Sequence, residues 1–284
     1  MIQLQAAPGA WRLTSAAPSP PLAGIVKEYW EVEGTLEAFR ETLLPNGFVE
    51  VMFNLGPPHR LLAGPAARIW EESWFSGLQE RALMIESLQG THLVSARLHP
   101  LSARELLGPE VALAANSVVP LEQVLGGDAA ALRRRLLAAG SPEERFGHLE
   151  RCLSERLPAR DPVPSFVHEA AARIVARHGA VRVADLHSAL GVSRKHLSVT
   201  FARYAGMSAK SYACLHRFVR ALDRLRRSDS VDWSVLAHEV GYSDQSHLVR
   251  DFRRVGAATP TTYLRRVSPD GTALLYEGDA APNP

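Results

Sequence analysis

The 284 residues predict an α+β chain: a β-rich N-terminal domain with a helical extension, then an all-α domain of two helix pairs joined by a long helix. Three observations predict this. Segments rich in β-formers fill the chain up to about residue 100. Helical periodicity dominates beyond Pro100. Val181–Phe201 and Val231–Phe252 repeat one another, with Gly191 and Gly241 standing 50 positions apart. Hydrophobic residues at 46% and charged residues at 22% suit a chain with a real core.

The N-terminus, MIQLQAAPGAWRLTSAAPSPPLAG, lacks a basic start followed by a long apolar block, so it does not read as a signal peptide. No apolar run reaches the roughly 18 residues that span a bilayer. A cytoplasmic location with no membrane partner is expected. PNG at Pro45–Gly47 signals a turn before FVEVMFNLG. THLVSARL, Thr91–Leu98, alternates as a half-buried strand does. RLLAG, SWFSGL and LMIESL read as short strands divided by Gly or charge, which suggests a sandwich or barrel, cupin-like by fold analogy. Then follow helical SARELLG, LEQVLG, DAAALRRRLLAAG and SPEERFGHLERCLSERL. Asp128 and Ser141 look like caps for the last two, with Pro142 and Glu144 at the first and third helical positions of the second. Such helices can mediate a homodimer, although packing within one chain explains them equally.

LPARDPVPSF, Leu157–Phe166, holds three prolines in ten residues, so helices stop there. The expected domains are 1–160, with strands to about 100 and helices over 101–157, and then 165–268. The tail, 269–284, carries Pro, Gly and Asp punctuation and reads as loose, though its ALLY could dock on a neighbour.

Within the repeat, Val183, Leu186 and Leu190 match Trp233, Leu236 and Val240. After each Gly comes Ser193 or Ser243, read as an N-cap, and then a helix with an apolar pair: Leu197 and Phe201, or Leu248 and Phe252. The second copy has one extra residue before its pair. Gly lets the chain turn sharply between two short helices, which is helix-turn-helix logic, used twice. Tyr212, Leu215, Phe218, Leu222 and Leu225 make the connecting stretch one amphipathic helix. If both second helices enter the major groove on one face of a duplex, they sit about 34 Å apart.

Net charge is +2, but Ser165–Ser268 carries seventeen Lys/Arg against eight Asp/Glu, a net +9. Charge asymmetry of this kind points to a polyanion. With the apolar pairs inward, Lys195, Val199 and Ala202 point outward on the first helix, flanked by Ser198 and Arg203; on the second, Ser246, Arg250 and Arg253 point outward, flanked by Val249 and Arg254, with Gln245 near the helix start. Arg suits guanine, Gln suits adenine, and Val packs on a thymine methyl. Arg194, Lys210, Arg226, Arg227 and Arg254 read as phosphate neutralisers or solvated charge. Thr259, before Pro260, is a cap candidate.

Val167–Arg266 resembles the AraC/XylS family of bacterial transcriptional regulators. The resemblance rests on Gly241, Tyr242, Asp244, Ser246, His247, Leu248, Arg250, Phe252 and Arg253, on the closing Thr259-Pro260 and Tyr263-Leu264-Arg265, and on Tyr212, Arg217, Ala221 and Leu225. It implies double-stranded DNA as partner and activation or repression of transcription, with RNA polymerase a further partner. Carried over position by position, it assigns base contact to Lys195, Ser198, Val199, Gln245, Ser246 and Arg250. Two departures stand out: Ala257 where the family often has Gly, and Val199 where it often has Arg, which argues against guanine reading by the first motif. Tyr29-Trp30, LLPNGFVEVMFNLG and WFSG resemble a domain of many AraC-type regulators, which implies a sensor or dimerisation role.

Trp30, Phe53, Trp70, Trp74 and Phe75 are candidates to line a pocket for a small-molecule effector. His59, His92 and His99 lack the close His-x-His pair of a metal cupin, so no metal or cofactor is expected. Cys152 and Cys214, 62 positions apart, fit neither a metal site nor a stabilising disulfide. No nucleophile elbow or phosphate loop is present, so the chain does not read as an enzyme. The rival reading is a DNA-targeted alkyl-acceptor repair protein using Cys152; another is an N-terminal domain that only dimerises.

Overall fold

The computed structural model describes residues 2–5, 11–62, 68–157, 162–227, 231–268 and 271–276. Ten strands are described: β1 (Ile2–Gln5), β2 (Trp11–Ala16), β3 (Val26–Leu43), β4 (Val49–Asn54), β5 (His59–Leu61), β6 (Arg68–Trp70), β7 (Ser73–Ser76), β8 (Leu83–Leu98), β9 (Val118–Pro120) and β10 (Ala273–Tyr276). Every pairing is antiparallel.

The β3–β8 ribbon organises the domain. Its pairing runs from Val26↔Leu98 to Leu43↔Leu83, with a register shift between Gly34 and Glu37. One half is flanked by β2 and β4, the other by β10 and β5. A bulge bends such a ribbon, so its two halves build two sheet faces that enclose space between them. The sequence expectation of separate short strands at LMIESL and THLVSARL is corrected here. Both belong to β8, which continues through Gly90 at a φ of +63°. Gly within a strand marks a bulge as readily as an end.

Pleating gives the first half two chemically distinct faces. Ser15, Trp30, Ser95, Met52 and Trp74 are register partners across four pairings and share one face. Tyr29, Ala96, Val51 and Phe75 share the other face and are buried against helices.

Those helices are α1 (Pro100–Leu107), α2 (Glu110–Leu113), α3 (Glu122–Leu125), α4 (Asp128–Ala138) and α5 (Pro142–Ser154). Ser141 caps α5 by accepting from Glu144 N, while Glu144 Oε2 accepts from Gly140 N. Asp128 lies in the first turn of α4, after Gly127, rather than at its cap. The expected break between 160 and 165 falls partly outside the described residues.

The second half holds α6 (Ser165–Ala176), α7 (Val183–Ala189), α8 (Arg194–Ala205), α9 (Ala209–Arg226), α10 (Trp233–Glu239), α11 (Gln245–Gly256) and α12 (Pro260–Arg266). One buried cluster runs from Val51 and Phe75 through Leu132 and Phe146 to Leu197, Phe201 and Tyr212, so the β face and the first helix pair share a core. A second cluster gathers Phe218, Leu236, Leu248, Phe252 and Tyr263 around Leu44 of the N-terminal half. The ALLY of the tail is β10, paired with the far half of β3. No helix among the described residues is long and apolar enough to cross a membrane.

Candidate functional site

Each helix pair is positioned by the same local devices. In the first, α7 ends before Gly191, which has a φ of +64°, and Ser193 caps α8 by accepting from His196 N at 3.1 Å. In the second, Asp232 caps α10, Gly241 turns at +84°, and α11 begins at Gln245. Here the sequence expectation is corrected: Asp244, not Ser243, caps α11, accepting from His247 N at 2.8 Å. That bond, and the Ser243 hydroxyl donating to Asp244 at 2.9 Å, hold the Asp244 carboxyl below its ordinary pKa. Asp at a helix start also meets the positive end of the helix dipole.

The corrected cap explains the extra residue of the second copy. Counted from the caps, Leu197 and Leu248 are both fourth, and Phe201 and Phe252 both eighth. The extra residue lies in the turn, and the helices themselves are in register. The repeat then runs further than the sequence comparison took it. Gly206 and Ala257 both leave their helices with positive φ, at +75° and +53°. Ser208 and Thr259 both cap the next helix, and Tyr212 and Tyr263 follow at the same distance.

Leu197, Phe201, Leu248 and Phe252 are buried. Arg194, Lys195, Ser198 and Val199 on α8 are exposed, as are Gln245, Ser246, Arg250, Arg253 and Arg254 on α11. Val199 keeps 61% of its surface, too much for a structural role inside the chain. Arg254 differs from the rest. Its guanidinium donates to Asp251 Oδ1 at 3.2 Å and to Cys214 Sγ at 2.6 Å. Cys214 in turn donates to Asp251 Oδ2 at 2.9 Å. Burial, with Asp251 beside it, pushes the Cys214 thiol up to about 11. This triad escaped sequence reasoning, because Cys214 and Arg254 lie 40 residues apart. Arg226, read as a phosphate neutraliser or solvated charge, is held by Tyr263 Oη and the Gly271 carbonyl.

The two faces of the bent ribbon enclose a cavity of about 500 Å³. Trp30, Trp70 and Trp74 line it, and Trp11 joins them. Phe53 and Phe75 do not: both are fully buried in the helix-facing core. Alternation is the reason, since Met52 and Trp74 take the cavity face of β4 and β7 and leave their neighbours the opposite one. Arg226, Ser268 and Thr272 reach the cavity from the C-terminal half. Inside the wall, Arg97 bridges Glu28 and Glu50 at 2.6 and 2.9 Å, and Trp30 Nε1 donates to Glu50 at 3.2 Å. Among the candidate histidines, His59 lines the cavity, His92 pairs with Glu31, and His99 precedes α1. Among the described residues, no group of three or more His, Cys, Asp or Glu could hold a metal ion.

Residues 186–266 match the family model of a helix-turn-helix domain, and residues 14–120 match that of a domain of unknown function, DUF6597. The chain thus carries a C-terminal helix-turn-helix domain, a class of DNA-binding fold, preceded by a DUF6597 region. More particularly, its C-terminal region is an AraC-type helix-turn-helix domain. No curated protein matches the chain significantly. Among solved structures, ToxT from Vibrio cholerae is 10% identical with a TM-score of 0.48, over 89% of this chain and 98% of that one. Unsaturated-fatty-acid-bound ToxT from V. cholerae strain SCE256 is 8% identical with a TM-score of 0.46, over 89% and 94%. The AraC-like transcriptional activator CuxR is 15% identical with a TM-score of 0.30, over 74% and 86%. These overall likenesses are too loose to carry a conclusion about this chain.

Proposed function

We propose that the protein is a sequence-specific transcriptional regulator in which residues 165–268 read the major groove and residues 1–160 take a small-molecule effector. The reading rests on one observation above the others: α8 and α11 start on equivalent caps, bury equivalent Leu/Phe pairs and expose Lys195, Ser198 and Val199, or Gln245, Ser246 and Arg250. A net charge of +9 over Ser165–Ser268 supports a polyanion partner. The effector part is supported by a cavity in the usual size range of ligand sites, whose wall includes residues of both halves. A ligand there would touch Arg226, at the end of the linker helix.

The alkyl-acceptor alternative gains nothing from Cys152. Its thiol is buried, burial raises its pKa, and Arg156 donates to it at 3.2 Å. An alkyl acceptor needs an accessible thiolate. The test is a fluorescence-anisotropy titration of the full chain against the DNA flanking its own gene. Salt-sensitive binding that prefers one segment at least a hundredfold over scrambled DNA is expected. Equal affinity for all sequences would end the proposal.

A further inference from the structure

We propose that the cavity takes an uncharged, flat aromatic ligand that presents a hydrogen-bond acceptor to Trp70. This rests on the cavity being a ligand site, as proposed above.

Tryptophan usage comes first. Four of the five tryptophans in the chain line this one cavity. Trp70 and Trp74 lie 6.0 Å apart between centroids and tilt by 47°, and the His59 ring lies 6.1 Å from Trp74. These rings lean together without stacking face to face, and Arg68 covers one face of Trp70 at 4.3 Å, so a flat guest is left the remaining ring faces.

Hydrogen bonding is incomplete at one end of this wall. The indole N–H of Trp30 reaches Glu50, and that of Trp74 reaches Met52 Sδ at 3.1 Å. Trp70 Nε1 is buried and finds no acceptor among the described residues, and neither does His59 Nε2 find a partner. Trp70 and His59 are direct cross-strand partners on β6 and β5, so the two orphaned nitrogens belong to one corner. An indole N–H can only donate, so whatever completes it must accept. His59 Nδ1 lies 3.0 Å from Ser87 Oγ, and when Ser87 donates there, Nε2 carries the proton and becomes a second donor.

Charge selects the class. Glu28, Glu50, Arg97 and Arg226 of the wall all have partners within the protein. Arg97 is engaged by Glu28 and Glu50, and Arg226 donates to Tyr263 Oη and the Gly271 carbonyl. A carboxylate would find both guanidiniums of the wall already engaged. An ammonium would find Glu28 and Glu50 already paired with Arg97. Burial lowers His59 to a pKa of about 4, so it offers no positive charge at neutral pH.

Equilibrium dialysis of the full chain against four probes on one ring system tests this. They are 2-acetylnaphthalene, its acceptor-free isostere 2-isopropenylnaphthalene, 2-naphthoate, and (2-naphthylmethyl)trimethylammonium. The ketone is expected to bind tightest, with each of the others at least about tenfold weaker. Trp70→Phe keeps a ring but removes the N–H, and should erase the ketone–alkene difference. Trp74→Phe, which removes an N–H that already has a partner, should preserve it. Circular dichroism confirms that both variants fold. Tighter binding of the naphthoate or the ammonium overturns the ligand class while leaving the cavity as a ligand site. A ketone–alkene difference that survives Trp70→Phe overturns it too, as does binding of none of the four. The ligand-site reading fails separately, if no compound in a metabolite screen shifts the DNA affinity of the full chain.

Discussion

Arg250 and Arg254 sit four positions apart on α11, yet their surroundings set them different tasks. Arg250 makes no hydrogen bond or salt bridge among the described residues, and its side chain is exposed. An exposed guanidinium on the outer face of such a helix, attracted only by the Asp244 carboxylate nearby, can address O6 and N7 of one guanine. Arg250→Ala should therefore cost about 1–3 kcal/mol on the preferred site and relax discrimination at a single base pair. Competition against single-base-pair variants reads this; a uniform loss across all variants contradicts it. Arg254 holds a buried carboxylate and a buried thiol instead. Its side chain is 43% exposed, so the pair with Asp251 is partly screened and contributes about 1 kcal/mol. Arg254→Ala should weaken all DNA sequences alike and also lower the urea midpoint; an unchanged midpoint would show the triad to be idle. Ala257 is a third residue-scale case. It leaves α11 with a φ of +53° and is exposed, so it bears the left-handed strain and buries little in return. Ala257→Gly should stabilise the chain by about 0.5–1 kcal/mol without changing DNA affinity. Loss of stability in a melt would mean that the Ala methyl packs usefully.

At the scale of elements, the two turns look alike in sequence but differ in space. A Cβ on Gly191 would meet nothing within 4 Å, whereas one on Gly241 would lie 2.8 Å from Ala180 Cβ. Both turns have positive φ, so either Ala substitution strains the backbone by about 1–2 kcal/mol. Only Gly241→Ala adds a clash, in a turn whose carbonyl also accepts from Arg217 at 3.2 Å. It should cost at least about 1 kcal/mol more than Gly191→Ala in urea unfolding; equal costs would show that Ala180 yields freely. The repeat itself was legible because helix burial has a 3.6-residue period that Leu197, Phe201, Leu248 and Phe252 announce. Asp244 was misread because Ser and Asp are both good caps, and only the start of α11 chooses between them. The strands were less legible. Gly90 looks like an end and lies opposite the bulged segment of β3, and Phe53 and Phe75 look like pocket residues. Which face a strand residue takes depends on register, which no local pattern fixes when both faces are apolar.

For the whole molecule, the halves are joined by specific packing as well as by the chain between them. Ala82 N donates to the Val255 carbonyl at 2.7 Å, Arg104 lies over the Tyr204 ring at 4.2 Å, and β10 returns to pair with β3. The PNG turn meets the linker helix, where a Cβ on Gly47 would lie 3.2 Å from His216 Cε1. His216 is pressed between that turn and Tyr212, whose ring centroid is 4.5 Å away. Burial first, then the facing His178 and His99, lowers its pKa from 6.5 to about 4. The folded chain therefore binds fewer protons there than the unfolded chain between pH 6.5 and 4, so stability falls as pH drops through that window. His59 carries a similar shift inside the cavity wall, but away from the junction. His216→Leu removes the junction's share alone. Between pH 7.5 and 5.0 the natural chain should lose about 2 kcal/mol more than the variant in urea unfolding. An equal loss in both proteins would mean that His216 accepts its proton without disturbing the packed junction.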